Sequence, residues 1–175
     1  MKYKSLNGQT ALGMGNVNSD AAIITGTMND KGLDWGNTTD KTVGMKFAGI
    51  ENFWGNIFNW IDGIVTDSNC DYLTTTGTFN DSGEGYEYTI SCGIEDGGYL
   101  SAPTGTSLGG FTCAPDGYNG SSTTYFSDYS NAYAGCVADF GGCWADGLYA
   151  GPFCFVVGSD ASAAGADVGA RVQKL

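Results

Sequence analysis

The sequence predicts an α+β domain made of small antiparallel sheets, few helices and extensive loops. Three observations predict it. Twenty-nine glycines against three prolines supply many turns and weigh against a helix bundle. Ten Tyr, nine Phe and four Trp, with 42% apolar residues, provide enough apolar mass for a folded core in a chain of 175 residues. Those apolar residues come in short aromatic or β-branched runs broken by turn residues, not at sustained helical spacing.

Residues 1–42 are polar and rich in Gly and Asn, and read as an N-terminal arm or connector; residues 43–175 read as the domain proper. Lys41–Val65 is the densest aromatic stretch. Its Gly55-Asn56 pair is a turn signal, and a short helix or turn is expected there, entering a strand at Ile57–Ile61. Tyr72–Thr76 and Tyr86–Ile90 flank Asn80-Asp81-Ser82-Gly83 and predict a hairpin. Short runs at Tyr99-Leu100 and Thr123–Phe126 are separated by a long irregular segment through Pro115–Ser122. Gly135–Phe140 and Pro152–Val157 read as the last strands.

Net charge is −12, and its placement is informative. Every Lys and Arg lies at or before Lys46 or at or after Arg171, so the intervening stretch carries carboxylates and no cation. Nucleic-acid affinity depends on cations at phosphates, so nucleic acid is not expected as a partner; the same reasoning disfavours anionic membranes. No apolar run approaches a bilayer span, and no cationic stretch leading into an apolar one opens the chain, so neither membrane insertion nor a signal peptide is expected. The acidic excess reads as solubility. Calcium is a secondary possibility, without a D-x-D-x-D-G loop to support it.

The chain has no histidine, which removes Ser-His-Asp and Cys-His nucleophile pairs and histidine zinc sites. Its six cysteines, Cys70, Cys92, Cys113, Cys136, Cys143 and Cys154, form no C-x-x-C pair. They read as small apolar residues, with disulfides left open.

The C-terminal segment is the most distinctive. Between Gly141 and Ala170 there is no Lys, Arg, Glu, Gln, Asn or Met, only small, aromatic and aliphatic residues, two cysteines and three aspartates. Such a composition suits neither an alternating core strand nor a linker, and points to a displayed surface held between fixed ends. Strand alternation assigns its faces. Phe153, Phe155 and Val157 are expected to point inward, and Cys154, Val156 and Gly158 outward. The loop before offers Cys143, Ala145, Asp146, Leu148 and Tyr149; the loop after offers Asp160, Ala163, Gly165 and Asp167, with Val168 returning to the core. These outward positions are the candidate ligand surface. Tyr149 is its best anchor, because a tyrosine gives large contact area at small entropic loss. The alternative is that Leu148, Cys154 and Val156 pack beneath a loop.

The segments GNIFNW (Gly55–Trp60), FGGCW (Phe140–Trp144) and GAR (Gly169–Arg171) resemble the frame of the formylglycine-generating-enzyme subfamily of the C-type lectin fold, whose usual form is G-N-V-W-E-W, R-G-G-S-W and G-F-R. The wording GIENFWGNIFNWIDGI and AGPFCF…GARVQKL is similar to phage minor structural or tail-tip proteins, and to variable proteins of diversity-generating retroelements. The resemblance covers about residues 43–175. It implies a C-type lectin fold with a ligand-binding C-terminal face, framed by Trp54, Asn56, Trp60, Gly141, Gly142, Trp144 and Arg171. It further implies a non-enzymatic domain at a phage tail or fibre tip, recognising a bacterial surface protein or glycan and assembled in the bacterial cytoplasm; the oligomeric state is left open, and a homotrimer with this face at an exposed tip would favour that reading.

Diversification by such an element mutates adenines in A-A-C or A-A-T codons, whose products exclude Trp, Lys, Gln, Glu and Met; apart from Trp144, residues 141–170 contain none of these. Enzymatic members use a copper-binding cysteine pair that has no counterpart here, and Phe140 stands where the frame usually has Arg. No cofactor is therefore expected. A copper oxidase using two of the six cysteines, and a purely architectural virion component, are the alternative readings. Arg171, beside Val168 and Val172, is expected to be partly buried and paired with Glu51 or Asp62.

Overall fold

A computed structural model of the protein describes residues 7–91, 97–103, 115–123 and 128–170. The regular structure of the described chain is mostly sheet. Its single α-helix, α1 (Gly8–Ala11), is one turn long, with the Asn7 carboxamide accepting from Thr10 N–H at 3.0 Å. The helical component expected from sequence is thus reduced to α1 and a 3-10 turn at Gly147–Tyr149. Nucleating a helix is costly and glycine raises that cost, so a chain this rich in glycine extends helices poorly.

The strands run in chain order as β1 (Lys46–Phe47), β2 (Ile50–Glu51), β3 (Phe58–Thr66), β4 (Tyr72–Thr74), β5 (Tyr88–Ile90), β6 (Gly98–Tyr99), β7 (Ala102–Pro103), β8 (Pro115–Gly117), β9 (Tyr129–Ala132), β10 (Val137–Phe140), β11 (Phe155–Ser159) and β12 (Val168–Gly169). One large sheet has the order β5-β4-β3-β10-β11-β9-β6, and β12 also pairs with β3. The β1–β2 and β7–β8 ribbons lie apart from it. Pairing in the large sheet is antiparallel except for β11 on β9 and β12 on β3, which are parallel.

β3 is its longest strand and begins just after the Gly55-Asn56 turn, as the sequence predicts, but runs on to Thr66. Its register against β10 shifts between Ile61 and Val65, a bulge that lets the first half of β3 carry β12 and the second half carry β4. The expected hairpin is present: Tyr72 faces Ile90, Leu73 faces Thr89 and Thr74 faces Tyr88. The strand expected at Pro152–Val157 is displaced to Phe155–Ser159, because residues 151–153 form a turn closed by Cys154 N–H to Gly151 O at 3.1 Å.

The main core joins Ile64, Tyr72, Ile90, Ala132, Ala138, Phe155 and Val157, with Cys70 packed among them. The Tyr72 and Phe155 rings meet edge to face, with centroids 5.7 Å apart. A smaller cluster holds Leu12, Met45 and Trp54, flanked by Phe47 and Phe53.

Residues 7–42 are stitched into the rest. Val17 and Met28 are buried. The Trp54 indole N–H donates to Gly13 O at 3.2 Å. Asn56 Oδ1 accepts from Asn16 Nδ2 at 3.0 Å and from Ile23 N–H at 2.9 Å, while Asn56 Nδ2 donates to Ile23 O at 3.0 Å. Three of this buried asparagine's four hydrogen-bonding positions are thus filled, which ties the N-terminal segment to the turn before β3.

Candidate ligand-display surface

β10 ends at Phe140, and Gly141 and Gly142 follow with φ of 96° and 77°. A Cβ on Gly142 would lie 2.6 Å from the Ala150 Cβ and 2.7 Å from its Cα, so only glycine fits this turn. The turn is anchored from three sides. Gly141 N–H donates to Cys154 O at 2.9 Å, and Gly141 O accepts from Gly55 N–H at 3.0 Å and Gly151 N–H at 3.2 Å. Trp144 N–H then reaches Asn56 O at 3.0 Å.

The loop beyond is shaped by Asp146. Its carboxylate accepts from Cys143 N–H at 2.6 Å, and its carbonyl accepts from Tyr149 N–H at 3.0 Å, which closes the 3-10 turn. The N-terminal segment grips the loop from outside. Ser19 N–H donates to Trp144 O at 3.0 Å, Gly147 N–H donates to Val17 O at 2.7 Å, and the buried Gln9 carboxamide donates to the Leu148 and Ala150 carbonyls. At the far end Phe58 N–H donates to Asp167 O at 2.7 Å, and β12 lies in parallel register on β3.

Between these anchors Leu148 is 39% exposed and Tyr149 47% exposed. Ala145, Gly158, Asp160, Ala163 and Gly165 are exposed as well, and Asp146, Val156 and Asp167 are half-buried. Cys143 and Cys154, expected outward, are instead buried at 5% and 2% exposure. The reason is local: alternation fails across the turn at 151–153, and the glycine turn drives Cys143 beneath the loop. Phe155 and Val157 point inward as expected, whereas Phe153 is only half-buried. Of the frame residues, Trp54 and Asn56 are buried, while Trp60 and Trp144 are half-buried. Arg171 lies outside the described residues.

Tyr149 does not stand alone. Its ring lies 4.7 Å from that of Tyr129 and 5.6 Å from that of Tyr99, and the last two cross almost perpendicularly at 5.8 Å. Tyr99 and Tyr129 are direct partners across β6 and β9, so the sheet edge presents them beside the loop. Burial, followed by the neighbouring Tyr149 hydroxyl, raises the Tyr99 pKa. Sequence reasoning did not select Tyr99 or Tyr129, whose connection to Tyr149 exists only through the pairing of β6, β9 and β11.

Beyond β11, Asp160 caps its own turn: its carboxylate accepts from Ser162 N–H at 2.8 Å and Ser162 Oγ–H at 2.6 Å, which holds its pKa below the usual range. Asp139, on β10 beneath this face, behaves oppositely. It is 1% exposed, and burial pushes its carboxyl up to about 7, reinforced by the charges of Asp146 and Asp167. A hydrogen bond from Ser159 Oγ–H at 3.0 Å opposes the shift. Asp146 is itself raised, mainly by burial.

The thiols are quiet. Burial pushes Cys143 up to about 12 and holds Cys154 and Cys136 above the ordinary thiol range. Cys136, Cys143 and Cys154 carry free thiols; Cys92 and Cys113 lie outside the described residues. Among the described residues no group of three or more His, Cys, Asp or Glu side chains is placed to hold a metal ion, and no helix is long and apolar enough to cross a membrane. Comparison with protein-family models, with curated proteins and with solved structures finds no match to this chain.

Proposed function

We propose that the protein is a non-enzymatic ligand-display domain of a phage tail or fibre tip, recognising a bacterial surface protein or glycan through the 145–167 face on a C-type lectin scaffold. The observation that carries this reading is the exposed Leu148-Tyr149 pair, whose tyrosine ring packs against those of Tyr99 and Tyr129, in a segment held by backbone hydrogen bonds at both ends. Binding residues concentrate on loops positioned by a rigid scaffold, and rigid aromatic rings are efficient anchors. The small exposed residues Ala145 and Ala163 are sites where other side chains enter without repacking a core, while a side chain at Gly158 or Gly165 requires Tyr133 or Asp167 to shift. The protonated, buried thiols of Cys143 and Cys154 are poorly suited to act as nucleophiles or metal ligands, which favours binding over cysteine chemistry.

Labelled protein applied to a panel of bacterial cells tests this. The unsubstituted chain is expected to adhere to at least one strain, and Tyr149→Ala is expected to lose that adhesion. Its melting temperature should fall by several degrees without loss of the folded state, since each of its two aromatic pairs contributes about 0.5–1.5 kcal/mol beyond area burial. Adhesion equal to that of the unsubstituted protein, or adhesion to no strain at all, contradicts the reading.

A further inference from the structure

Asp139 sits on β10 between Ala138 and Phe140, both of which pack into or against the main core, so its side chain leaves the sheet on the opposite face. Trp60 and Val156, its partners across β3 and β11, share that face. There Asp139 is still only 1% exposed. Its Oδ2 accepts from Ser159 Oγ–H at 3.0 Å, and its Oδ1 is buried without a hydrogen-bond partner. Asp146 and Asp167 stand on two loops fastened to one short stretch of chain: Trp144 N–H donates to Asn56 O at 3.0 Å, and Phe58 N–H donates to Asp167 O at 2.7 Å. The charges of both reach Asp139, and that of Asp167 reaches Asp146.

Carboxylates that repel one another in a partly buried site destabilise the free domain. A cation brought from outside turns that repulsion into attraction, and the domain supplies none: from Phe47 to Ala170 there is no Lys or Arg. Among the described residues no group of carboxylates is placed to share one metal ion, so a wider cation is required. Acceptor positions remain open as well. The Asp146 carboxylate takes one hydrogen bond, from Cys143 N–H at 2.6 Å, and no described group donates to that of Asp167. A planar guanidinium suits such a site better than an ammonium, because its fork of donors reaches two carboxylates at once and its face stacks on tyrosine. Tyr149 stands at the end of the 3-10 turn that Asp146 begins.

We propose that the partner of the 145–167 face is a basic protein segment, and that one of its arginines binds Asp146 and Asp167 above the buried Asp139. Tyr149 packs against that arginine or its neighbours in the segment. The proposal rests on the reading of this face as the ligand surface, and it selects protein over glycan as the ligand.

The test is calorimetric titration of the full chain, at pH 8 and low ionic strength, with an end-blocked tetra-arginine peptide and with its tetra-citrulline counterpart, which has the same shape without the charge. Tetra-arginine is expected to bind saturably and tetra-citrulline not at all. Asp146→Asn, Asp167→Asn and Asp139→Asn should each weaken binding by at least about fivefold. Unfolding cannot mimic the last result, because removing the buried charge of Asp139 is expected to stabilise the domain at this pH. Glu84→Gln removes one exposed charge beside Gly83, which packs against Val65 and Leu73 at the other end of β3. It should change binding by less than about twofold, since net charge alone is screened and diffuse. Equal binding of the two peptides overturns the proposal, and so does an effect of Glu84→Gln as large as those of the three aspartates. Either result alongside adhesion that depends on Tyr149 would sink this proposal and leave the display reading standing. Tetra-arginine binding that needs the aspartates supports the arginine site even where no strain is bound, the outcome that sinks the display reading.

Discussion

Gly142→Ala is expected to destabilise the domain by about 2–5 kcal/mol, through left-handed strain of about 1–2 kcal/mol and an overlap that costs about 1–3 kcal/mol. The overlap is with the backbone of Ala150, at 2.7 Å, as well as with its methyl group, so no side-chain rotation relieves it. Ala150 would have to move, and with it the bond from Gln9 that closes the loop. Domains of this kind are stable by only about 5–15 kcal/mol, so the loss is a large fraction of the total. Gly147→Ala in the same loop is the internal control. Its φ is also positive, at 57°, but nothing lies within 4 Å of the added methyl group, so only the strain remains. Urea unfolding of the two variants checks both values; equal losses would show that the Gly142 turn is not a steric fixture.

The second large effect is at Asp139. Its folded-state pKa of about 7 lies above the unfolded value of about 3.9. Below pH 4 both states hold the proton and the group takes nothing from stability. As pH rises from about 4 to 7 the unfolded chain ionises first, and stability falls by up to about 1.4 kcal/mol per pH unit, levelling off above 7. Asp139→Asn cannot ionise, keeps a partner for Ser159 Oγ, and should therefore be more stable than the unsubstituted protein at pH 8, by on the order of 3 kcal/mol. The advantage should disappear by pH 4. Melting curves of both proteins across this range decide the matter; an Asn variant that is weaker at pH 8 would mean the native carboxylate is held ionised by favourable contacts.

What the sequence disclosed followed the physics of each element. The runs that became β3, β4, β5 and β10 are aromatic or β-branched and bounded by Gly, Asn or Asp, so their strand character is written locally. The exposure of Leu148 and Tyr149 was legible because they stand in a glycine-bounded loop. Burial of Cys143 and Cys154 was not, since a two-residue period holds only inside a strand, and the turn at 151–153 resets it. The integration of residues 7–42 was hidden for another reason. It rests on Asn16, Asn56 and Gln9 and on backbone groups, and polar residues that saturate one another look in sequence like those of a solvated linker. Tyr99 and Tyr129 were invisible as site residues because a parallel pairing between β9 and β11 brings them to Tyr149 from far along the chain.

The central claim is that residues 143–167 are held from their two ends and by the N-terminal segment, leaving the exposed positions between free to change. The most direct measurement is the melting temperature of a chain with Ala145→Ser, Leu148→Asn, Tyr149→Ser, Ala163→Thr and Gly165→Ser introduced together. A single cooperative transition within roughly 10 °C of the unsubstituted protein is expected, since surface changes cost little and only the tyrosine stacking is lost. Loss of cooperative unfolding would contradict the claim, because it would make those side chains part of what holds the domain together.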